Sequence, residues 1–219
     1  MHTPFYGPAA VLAGTPVDTQ MGADLLTRAG IASCSFPVSP DPVQQTAFQI
    51  ASPSEKEARI LEILHTAQAR GCERVFVYCN SLSGAVDFRP LALKTGLRIV
   101  TPLDIYRTLA GLYQSLGVLA ANAQGLAGIE RTLCEENPRL HLLGTAALPV
   151  VLSVEAGTPP EELVAWHHLD TLCEWFACCG VQALVLGCTH FPYFKAALAA
   201  RTSLPLIDPA EEMLSLLLA

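Results

Sequence analysis

Two cysteines of this 219-residue chain lie in matching sequence contexts that favour thiol chemistry. Each of them directly follows a short apolar segment and precedes small polar residues at the predicted start of a helix. The two segments are Val75-Phe76-Val77-Tyr78-Cys79-Asn80-Ser81 and Leu184-Val185-Leu186-Gly187-Cys188-Thr189-His190. The 109 residues from Cys79 to Cys188 are half of the chain, so the repeat predicts two similar halves that face one another across a cleft.

The predicted placement gives both thiols an activating environment. Ligands of open α/β sheets bind outside the carboxyl ends of the strands, where Cys79 and Cys188 are expected. The N–H groups and the dipole at the start of a helix stabilise a thiolate and also hold a carboxylate. A thiolate on one face of a carbon and a thiol on the other are the base and the acid that invert a stereocentre. The pair therefore predicts proton transfer at Cα, with Asn80, Ser81 and Thr189 as further donors to the substrate.

Burial as a small apolar side chain is the alternative role for any cysteine at the end of a strand. That structural role is the one expected for the other six cysteines, which are Cys34, Cys72, Cys134, Cys173, Cys178 and Cys179. Since the chain has no Cys-x-x-Cys pattern, neither a zinc ribbon nor a thioredoxin-type redox site is expected. Reduced thiols in a chain of this length favour a cytoplasmic protein over a disulfide-stapled secreted one.

Short apolar segments alternate with amphipathic segments along the chain, which predicts an α/β fold with parallel sheets covered on both faces. The predicted strands are Ala9–Ala13, Val75–Tyr78, Gly117–Ala120 and Ala183–Leu186. The pattern Ser52–Glu55 predicts the start of one helix. Thr158–Glu161 predicts the start of a second, which continues to about Cys178 before a stop at Gly180. The stretch Phe36–Pro53 shows no clear periodicity and is expected to be a long functional or mobile loop.

The composition excludes several classes of function. A hydrophobic fraction of 51% with a charged fraction of 15% is typical of packed globular proteins, and the net charge of -7 disfavours nucleic-acid binding. No apolar run reaches the ~18–20 residues of a membrane span, and Met1–Phe5 lacks the basic region of a signal peptide. The three lysines lie outside any recognisable Schiff-base setting, and there is no glycine-rich phosphate loop, so the sequence gives no sign of pyridoxal phosphate or of a bound nucleotide. An acidic protein with apolar helix faces is also compatible with a homodimer.

The segment Leu186-Gly187-Cys188-Thr189-His190-Phe191-Pro192 resembles the second catalytic motif of glutamate racemases, and Val77-Tyr78-Cys79-Asn80-Ser81 resembles their first. On these motifs the chain is identified as a member of the aspartate/glutamate racemase superfamily. The resemblance implies two Rossmann-like or flavodoxin-like halves with the active site in the cleft between them. The first half would comprise residues 1–100, with 205–219 returning to it, and the second residues 101–204. It further implies racemisation of glutamate or aspartate by Cys79 and Cys188 without pyridoxal phosphate, metal or nucleotide.

The resemblance also assigns helpers to the second cysteine. The segment Leu148–Glu155 is similar to the family segment that ends in a glutamate placed near that cysteine. Glu155 and His190 would then tune Cys188 and help carry its proton. A solvated carboxylate at a loop edge is the alternative for Glu155, and a capping or packing role is the alternative for His190.

The turn after the first predicted strand departs from the family pattern. The family carries Asp-Ser-Gly there, whereas this chain has Ala13-Gly14-Thr15-Pro16-Val17-Asp18-Thr19. Thr15 would replace the serine as a substrate ligand and Asp18 would replace the catalytic carboxylate, but Asp18 equally fits a cap of the next helix. The segment Phe36–Ser39 loosely resembles the family's substrate loop, although its last two residues differ, and it makes Ser39 a further candidate ligand.

Two other interpretations stay open at this point. Other enzymes share the scaffold: hydantoin racemases also use two cysteines, whereas arylmalonate decarboxylases and maleate isomerases use it for different chemistry. A non-catalytic protein that binds a small molecule is the second interpretation, and the altered turn at Asp18 is the feature that favours it.

Overall fold

The computed structural model describes residues 7–219, so Met1–Phe5, on which the prediction of no signal peptide depends, lies outside the described residues. The chain divides into two compact units. One is formed by the residues up to Ile105 together with Ala210–Ala219, and the other by Tyr106–Pro209. Each unit contains a four-stranded sheet whose strands all pair in parallel. The predicted α/β class with parallel sheets is therefore confirmed.

The first unit alternates strands and helices around a sheet of order β2-β1-β3-β4. Its elements are β1 (Ala9–Ala13), α1 (Pro16–Arg28), β2 (Ser33–Pro37), α2 (Pro42–Ile50), α3 (Pro53–Ala69), β3 (Arg74–Val77), α4 (Asn80–Ala85), α5 (Phe88–Thr95) and β4 (Arg98–Val100). The next helix, α6 (Pro102–Ala110), contains the boundary between the units. The predicted start of α3 is confirmed as a capping box, in which Ser52 and Glu55 each accept a hydrogen bond from the other's main-chain N–H.

The second unit repeats this strand arrangement in the order β6-β5-β7-β8. Its elements are β5 (Ser115–Ala120), α7 (Ala123–Glu136), β6 (His141–Ala146), α8 (Leu148–Glu155), α9 (Pro160–Trp166), α10 (Leu169–Cys178), β7 (Ala183–Gly187), a 3-10 helix (Phe191–Tyr193), α11 (Lys195–Ala199) and β8 (Leu206–Ile207). The strands β5 and β7 are almost fully buried, as consecutive apolar residues require. Within residues 7–219 no helix is both long enough and apolar enough to cross a membrane.

The last helix returns to the first unit. This helix, α12 (Ala210–Leu218), lies against β3 and β4. The side chain of Arg74 donates to the main-chain carbonyl of Leu217, and Nη2 of Arg98 donates to that of Leu216 at 2.6 Å. The two guanidinium groups therefore satisfy carbonyls of the last helical turn, which have no partner within a helix, and place positive charge at the negative end of its dipole.

The stretch Phe36–Pro53 is not the long loop that was expected, because α2 occupies half of it. Asp41 caps α2 by accepting a hydrogen bond from a main-chain N–H of the first turn at 2.8 Å, and a proline occupies the first helical position. The start signal is thus present in the sequence. The buried positions of α2 include two glutamines, Gln45 and Gln49, so apolar periodicity could not reveal the helix.

The single helix predicted from Thr158 to Cys178 is two helices, α9 and α10. His168 separates them: it has a φ of 50°, which is the left-handed region, and this interrupts the helical hydrogen-bond series. The predicted stop at Gly180 is confirmed, since the chain leaves α10 through a left-handed Gly180 with a φ of 80°.

Close packing of α1 against the sheet depends on Gly22. A Cβ atom at this position would lie 2.8 Å from Cγ1 of Val11 and 2.9 Å from Cβ of Tyr78. Val11 belongs to β1, and Tyr78 is the residue between β3 and Cys79. The missing side chain therefore lets α1 approach both strands whose ends carry candidate site residues.

We expect Gly22→Ala to lower the free energy of unfolding by about 1–2 kcal/mol, because overpacking against a β-branched side chain outweighs the gain in helix propensity. Urea unfolding followed by circular dichroism measures the change. Gly111→Ala is the matched control, since the nearest atom to a Cβ there is 3.8 Å away. Equal stability of the two variants would contradict the close approach at Gly22.

Candidate active site

The strand order of the first sheet creates a topological switch between β1 and β3. The chain leaves β1 for β2 on one side and later enters β3 on the other, so the connections after β1 and β3 diverge and leave a crevice at the carboxyl ends. Thr15 follows β1 as the N-cap of α1, and Cys79 follows β3 as the N-cap of α4. Predicted site residues from two separate motifs therefore lie at neighbouring strand ends.

Cys79 lies in a buried turn beside the hydroxyl of Ser81. Cys79 is 6% exposed, and its Sγ lies 3.5 Å from Oγ of Ser81. Gln49 donates through Nε2 to the same Ser81 oxygen at 2.8 Å, so the hydroxyl proton of Ser81 is available to the sulfur. Asn80, the first residue of α4, is also buried. A hydroxyl that donates to sulfur stabilises the thiolate, which suits this turn to a thiol that gives and takes a proton.

Asp18 and Thr15 form a capping box at the start of α1. Oδ1 of Asp18 accepts from the N–H of Thr15 at 2.6 Å and from its hydroxyl at 2.9 Å, while Oδ2 accepts from the N–H of Gly14 at 3.0 Å. Of the two roles predicted for Asp18, the helix cap is therefore present. The same bonds fix the main chain of the turn after β1. Participation of Asp18 in proton transfer stays a prediction.

Ser39 lies beyond the end of β2, where its N–H donates to the carbonyl of Gly14 at 2.9 Å. The Ser39 hydroxyl donates to Oε1 of Gln45 at 3.0 Å. Sequence reasoning missed both Gln45 and Gln49 as site residues. Their spacing of four residues behind the start signal at Asp41 is the feature that would have found them, because it places both amides on one face of a helix.

The turn after β7 differs from the prediction that a helix begins at Cys188. The residues after Cys188 form a turn and then the 3-10 helix Phe191–Tyr193. The rings of Phe191 and Phe194 are fully buried with centroids 5.2 Å apart, and this packing holds the chain in a short, tight connection. Since three residues make no helix dipole of consequence, the helix-dipole activation expected for Cys188 is not provided by this turn.

The structure brings Cys188, His190 and Glu155 together. Sγ of Cys188 lies 3.6 Å from Nδ1 of His190, and Nε2 of His190 lies 3.1 Å from Oε1 of Glu155. The side chains of His190 and Glu155 are 7% and 19% exposed, so water only weakly screens their interaction. A carboxylate at Nε2 favours a proton on that nitrogen and leaves Nδ1 to accept the thiol proton. The three side chains can therefore form a thiolate–imidazolium pair.

Tyr106 is a residue near Cys188 that the sequence did not indicate. The side chain is fully buried, and burial raises the pKa of its phenol well above the ordinary value. The charges of Asp208 and Cys188 raise it further. The phenol therefore stays protonated. No pattern pointed to Tyr106, because it lies far from Cys188 along the chain in an amphipathic helix.

The remaining cysteines are free thiols. Burial and the nearby thiol of Cys34 raise the pKa of Cys72 to about 11, and burial also raises the pKa of Cys173. A raised pKa keeps both thiols protonated and suits the structural role expected of them. The buried role is wrong for three cysteines that are exposed, namely Cys134, Cys178 and Cys179. Among residues 7–219, no three His, Cys, Asp or Glu side chains converge as metal ligands do.

Comparison with known proteins gives a consistent set of relatives. A glutamate racemase from Limosilactobacillus reuteri is 36% identical over 104 residues, which are 46% of this chain and 38% of that protein. A glutamate racemase from Beutenbergia cavernae is 30% identical over 162 residues, which are 69% of this chain and 54% of that protein. The chain therefore spans about half the length, or less, of the curated relatives it matches. No family model matches the chain.

A solved structure shares the fold of this chain. The crystal structure of glutamate racemase from Francisella tularensis in complex with D-glutamate matches with a TM-score of 0.75. The match covers 96% of this chain and 79% of that one at 17% sequence identity. At this level of identity the likeness establishes the fold.

We expect Asp18→Ala to lower the free energy of unfolding by about 1–3 kcal/mol, because two buried N–H groups of the turn after β1 lose their acceptor. Urea unfolding measures the loss. Asp24→Ala is the matched control: it removes the same charge from the exposed side of α1, where Asp24 accepts from Gln20. Such an exposed pair contributes at most about 0.5 kcal/mol. Equal losses in the two variants would show that the capping box does not hold this turn.

Proposed function

The chain belongs to the aspartate/glutamate racemase superfamily, and on that premise we propose that it is a cofactor-independent racemase of an acidic amino acid, glutamate or aspartate. The matched relatives are glutamate racemases, and one similar structure holds D-glutamate. For this chain, these relatives support a substrate with an ammonium group, an α-carboxylate and a second carboxylate.

The observation that carries the proposal is the equivalent position of the two cysteines. Cys79 follows β3 and Cys188 follows β7, and these are the third strands of two sheets with the same order. Each thiol is buried beside a group that can either take up its proton or stabilise its thiolate. A lone structural cysteine explains neither the repeated position nor the polar groups around it.

In the proposed reaction Cys79, as a thiolate, removes the Cα proton from one face of the substrate. An S–H bond forms, and the electron pair of the C–H bond moves into the α-carboxylate group, which becomes an enolate. Cys188, as a thiol, then gives its proton to the opposite face of Cα and is left as a thiolate. The roles exchange for the other enantiomer. The proposal requires both thiols to reach the same Cα.

Neutral donors are proposed to hold the substrate while charge moves onto its α-carboxylate. Thr15, Asn80, Ser81 and Ser39 would supply them in the first unit and Thr189 in the second. Hydrogen bonds to an oxyanion are stronger than those to a neutral oxygen, so donors that are already in place stabilise the transition state more than the ground state.

His190 and Glu155 are proposed to return the proton of Cys188. After one turnover the protonation states of the two cysteines are interchanged, so a second turnover in the same direction needs a proton to leave one thiol and reach the other. His190 contacts Cys188 through Nδ1 and Glu155 through Nε2. Since Glu155 is the more exposed member of the pair, it links the thiol to solvent.

A homodimer, a cytoplasmic location and independence of nucleic acids and membranes are further parts of the proposal. The exposed side chains of Trp166 and Trp175 give the second unit apolar surface that a second copy of the chain would cover. These parts stay predictions.

We expect the native chain, without added cofactor, to exchange the Cα hydrogen of glutamate or aspartate in deuterated water and to abolish the optical rotation of either enantiomer. Mass spectrometry and polarimetry measure the two effects. Cys79→Ser and Cys188→Ser should each slow racemisation by roughly 10²–10⁴-fold, because each removes an acid–base group. Cys134→Ser, at an exposed thiol, is the control.

Native-like racemisation by either cysteine variant would contradict the two-base mechanism. Absence of Cα exchange with all four enantiomers of glutamate and aspartate would contradict the acidic substrate. In that case the same experiment with hydantoins separates another racemase of this scaffold from a non-catalytic binding protein.

We expect His190→Asn to lower kcat by about 10²-fold, because Cys188 loses the group that takes up its proton. The fall in kcat should exceed any rise in KM, since the ring acts on the sulfur. Steady-state kinetics in both directions measure the change. His141→Asn makes the same substitution at an exposed position of β6 and is the control. A variant with an unchanged kcat would exclude His190 from the proton path.

A further inference from the structure

Gln45 is a buried side chain whose hydrogen bonding is incomplete. It is 6% exposed, and its Oε1 accepts from the hydroxyl of Ser39 at 3.0 Å. Its Nε2 has no hydrogen-bond partner, and no other buried side-chain nitrogen or oxygen among residues 7–219 shares that condition. Burial of an amide donor without an acceptor is unfavourable, so such groups are rare in native structures and each one needs an explanation.

The unpartnered amide nitrogen of Gln45 lies at the turn after β1. A Cβ on Gly14 would lie 3.0 Å from Nε2 of Gln45, so the amide rests directly against the main chain of that turn. Gly14 precedes the proposed substrate ligand Thr15, and Ser39 orients the amide from the other side. With Oε1 engaged by Ser39, the two N–H bonds of Nε2 are the groups that Gln45 can offer.

The helix α2 relates Gln45 to the thiol of Cys79. Gln49 of the same helix donates to Ser81 at 2.8 Å, and Ser81 contacts Cys79 at 3.5 Å. Gln45 and Gln49 lie four residues apart on one face of α2, which corresponds to about 6 Å along the helix axis. Gly14 and Cys79 also follow adjacent strands, whose spacing is about 4.8 Å. Gln45 and the thiol of Cys79 therefore lie at the turns that follow two adjacent strands.

We propose that Gln45 is a specificity-determining residue whose Nε2 donates to the side-chain carboxylate of the substrate. The proposal rests on the proposed function, which puts Cα beside the sulfur of Cys79. Aspartate and glutamate carry their second carboxylate one and two methylene groups beyond Cα, and the proposal assigns this carboxylate to the neighbouring turn, after β1. The carboxylate supplies the acceptor that Nε2 lacks within the chain.

A neutral amide also accounts for how an anionic group is accepted without a cation. The amide donates to a carboxylate with a fixed geometry, because Ser39 holds its oxygen. Because the amide is neutral, it adds no positive charge that would also attract the α-carboxylate of the substrate. Replacing the amide nitrogen by an oxygen should therefore change the preferred side chain of the substrate while the thiols are left in place.

The test compares Gln45→Glu with Val43→Glu. Val43 is on the same helix and 79% exposed, so the second variant adds the same charge on the solvent side. We expect Gln45→Glu to raise KM for glutamate and aspartate by about 10- to 100-fold with kcat changed less than threefold, because a donor to a carboxylate becomes a repelling charge. The ratio of kcat/KM for glutamine or asparagine over the acidic amino acids should rise. Val43→Glu should behave like the native chain.

Binding is measured in parallel by calorimetric titration with racemic glutamate and racemic aspartate, whose composition racemisation does not alter. If the native chain binds the racemic amino acids but does not exchange their Cα hydrogen, the proposed function is wrong. Even then, loss of binding in Gln45→Glu would support the role of Gln45 in holding the ligand. Native kinetics and binding in Gln45→Glu would overturn the role of Gln45 and leave the proposed function intact. No binding by the native chain would overturn both.

If Gln45→Glu does not fold, two further measurements test the role of Gln45 in substrate binding. Gln45→Met keeps the volume and removes the amide, and it should raise KM with an unchanged kcat. In the native chain, the side-chain amide signals of Gln45 in ¹⁵N NMR spectra should shift on saturation with racemic glutamate or aspartate. Signals that stay in place at saturation would overturn the proposal without any variant.

Discussion

A parallel sheet brings the carboxyl ends of all its strands to one edge, and it opens a crevice at that edge only where the chain reverses the side on which it adds strands. Both sheets of this protein reverse beside their first strand, between β1 and β3 and between β5 and β7. This constraint determines where chemistry can occur. Cys79 and Cys188 lie at the ends of β3 and β7, so one backbone arrangement, used twice, places both thiols.

The two thiols have different neighbours. Cys188 contacts the ring of His190, which can carry a positive charge beside a thiolate and whose other nitrogen contacts Glu155. Cys79 contacts Ser81, a neutral hydroxyl that stabilises a charge on sulfur without taking up the proton. In the proposed mechanism, in which each thiol must act as both acid and base, Cys188 can exchange its proton with solvent through the contacts of His190 and Glu155.

The sequence predicts the parts of this structure that depend on local pattern. Buried parallel strands are uninterrupted apolar runs, so β1 is predicted to the residue and β3 and β7 to within one. The break at His168 escapes prediction, because a left-handed conformation in a residue other than glycine has no sequence signature. The positions of the two cysteine motifs are also predictable, because these motifs follow directly on β3 and β7 in the sequence. Tyr106 is not, because only tertiary packing brings it near Cys188. Gln45 was missed for another reason: buried positions of its helix hold amides, so the helix has no clear apolar periodicity.

The helix α2 is joined to its neighbours by short connections on both sides, Val38–Asp41 and Ala51–Ser52, and it belongs to neither a strand nor a cysteine motif. Its buried amides nevertheless reach the turns after β1 and β3. Gln49 is bonded to Ser81 beside Cys79, whereas Gln45 contacts Ser39 and the turn after β1, so the two amides act on different turns. Under the role proposed for Gln45, a new substrate preference can arise from substitution at one position of this nine-residue helix, while Gln49 keeps its bond to Ser81 beside Cys79.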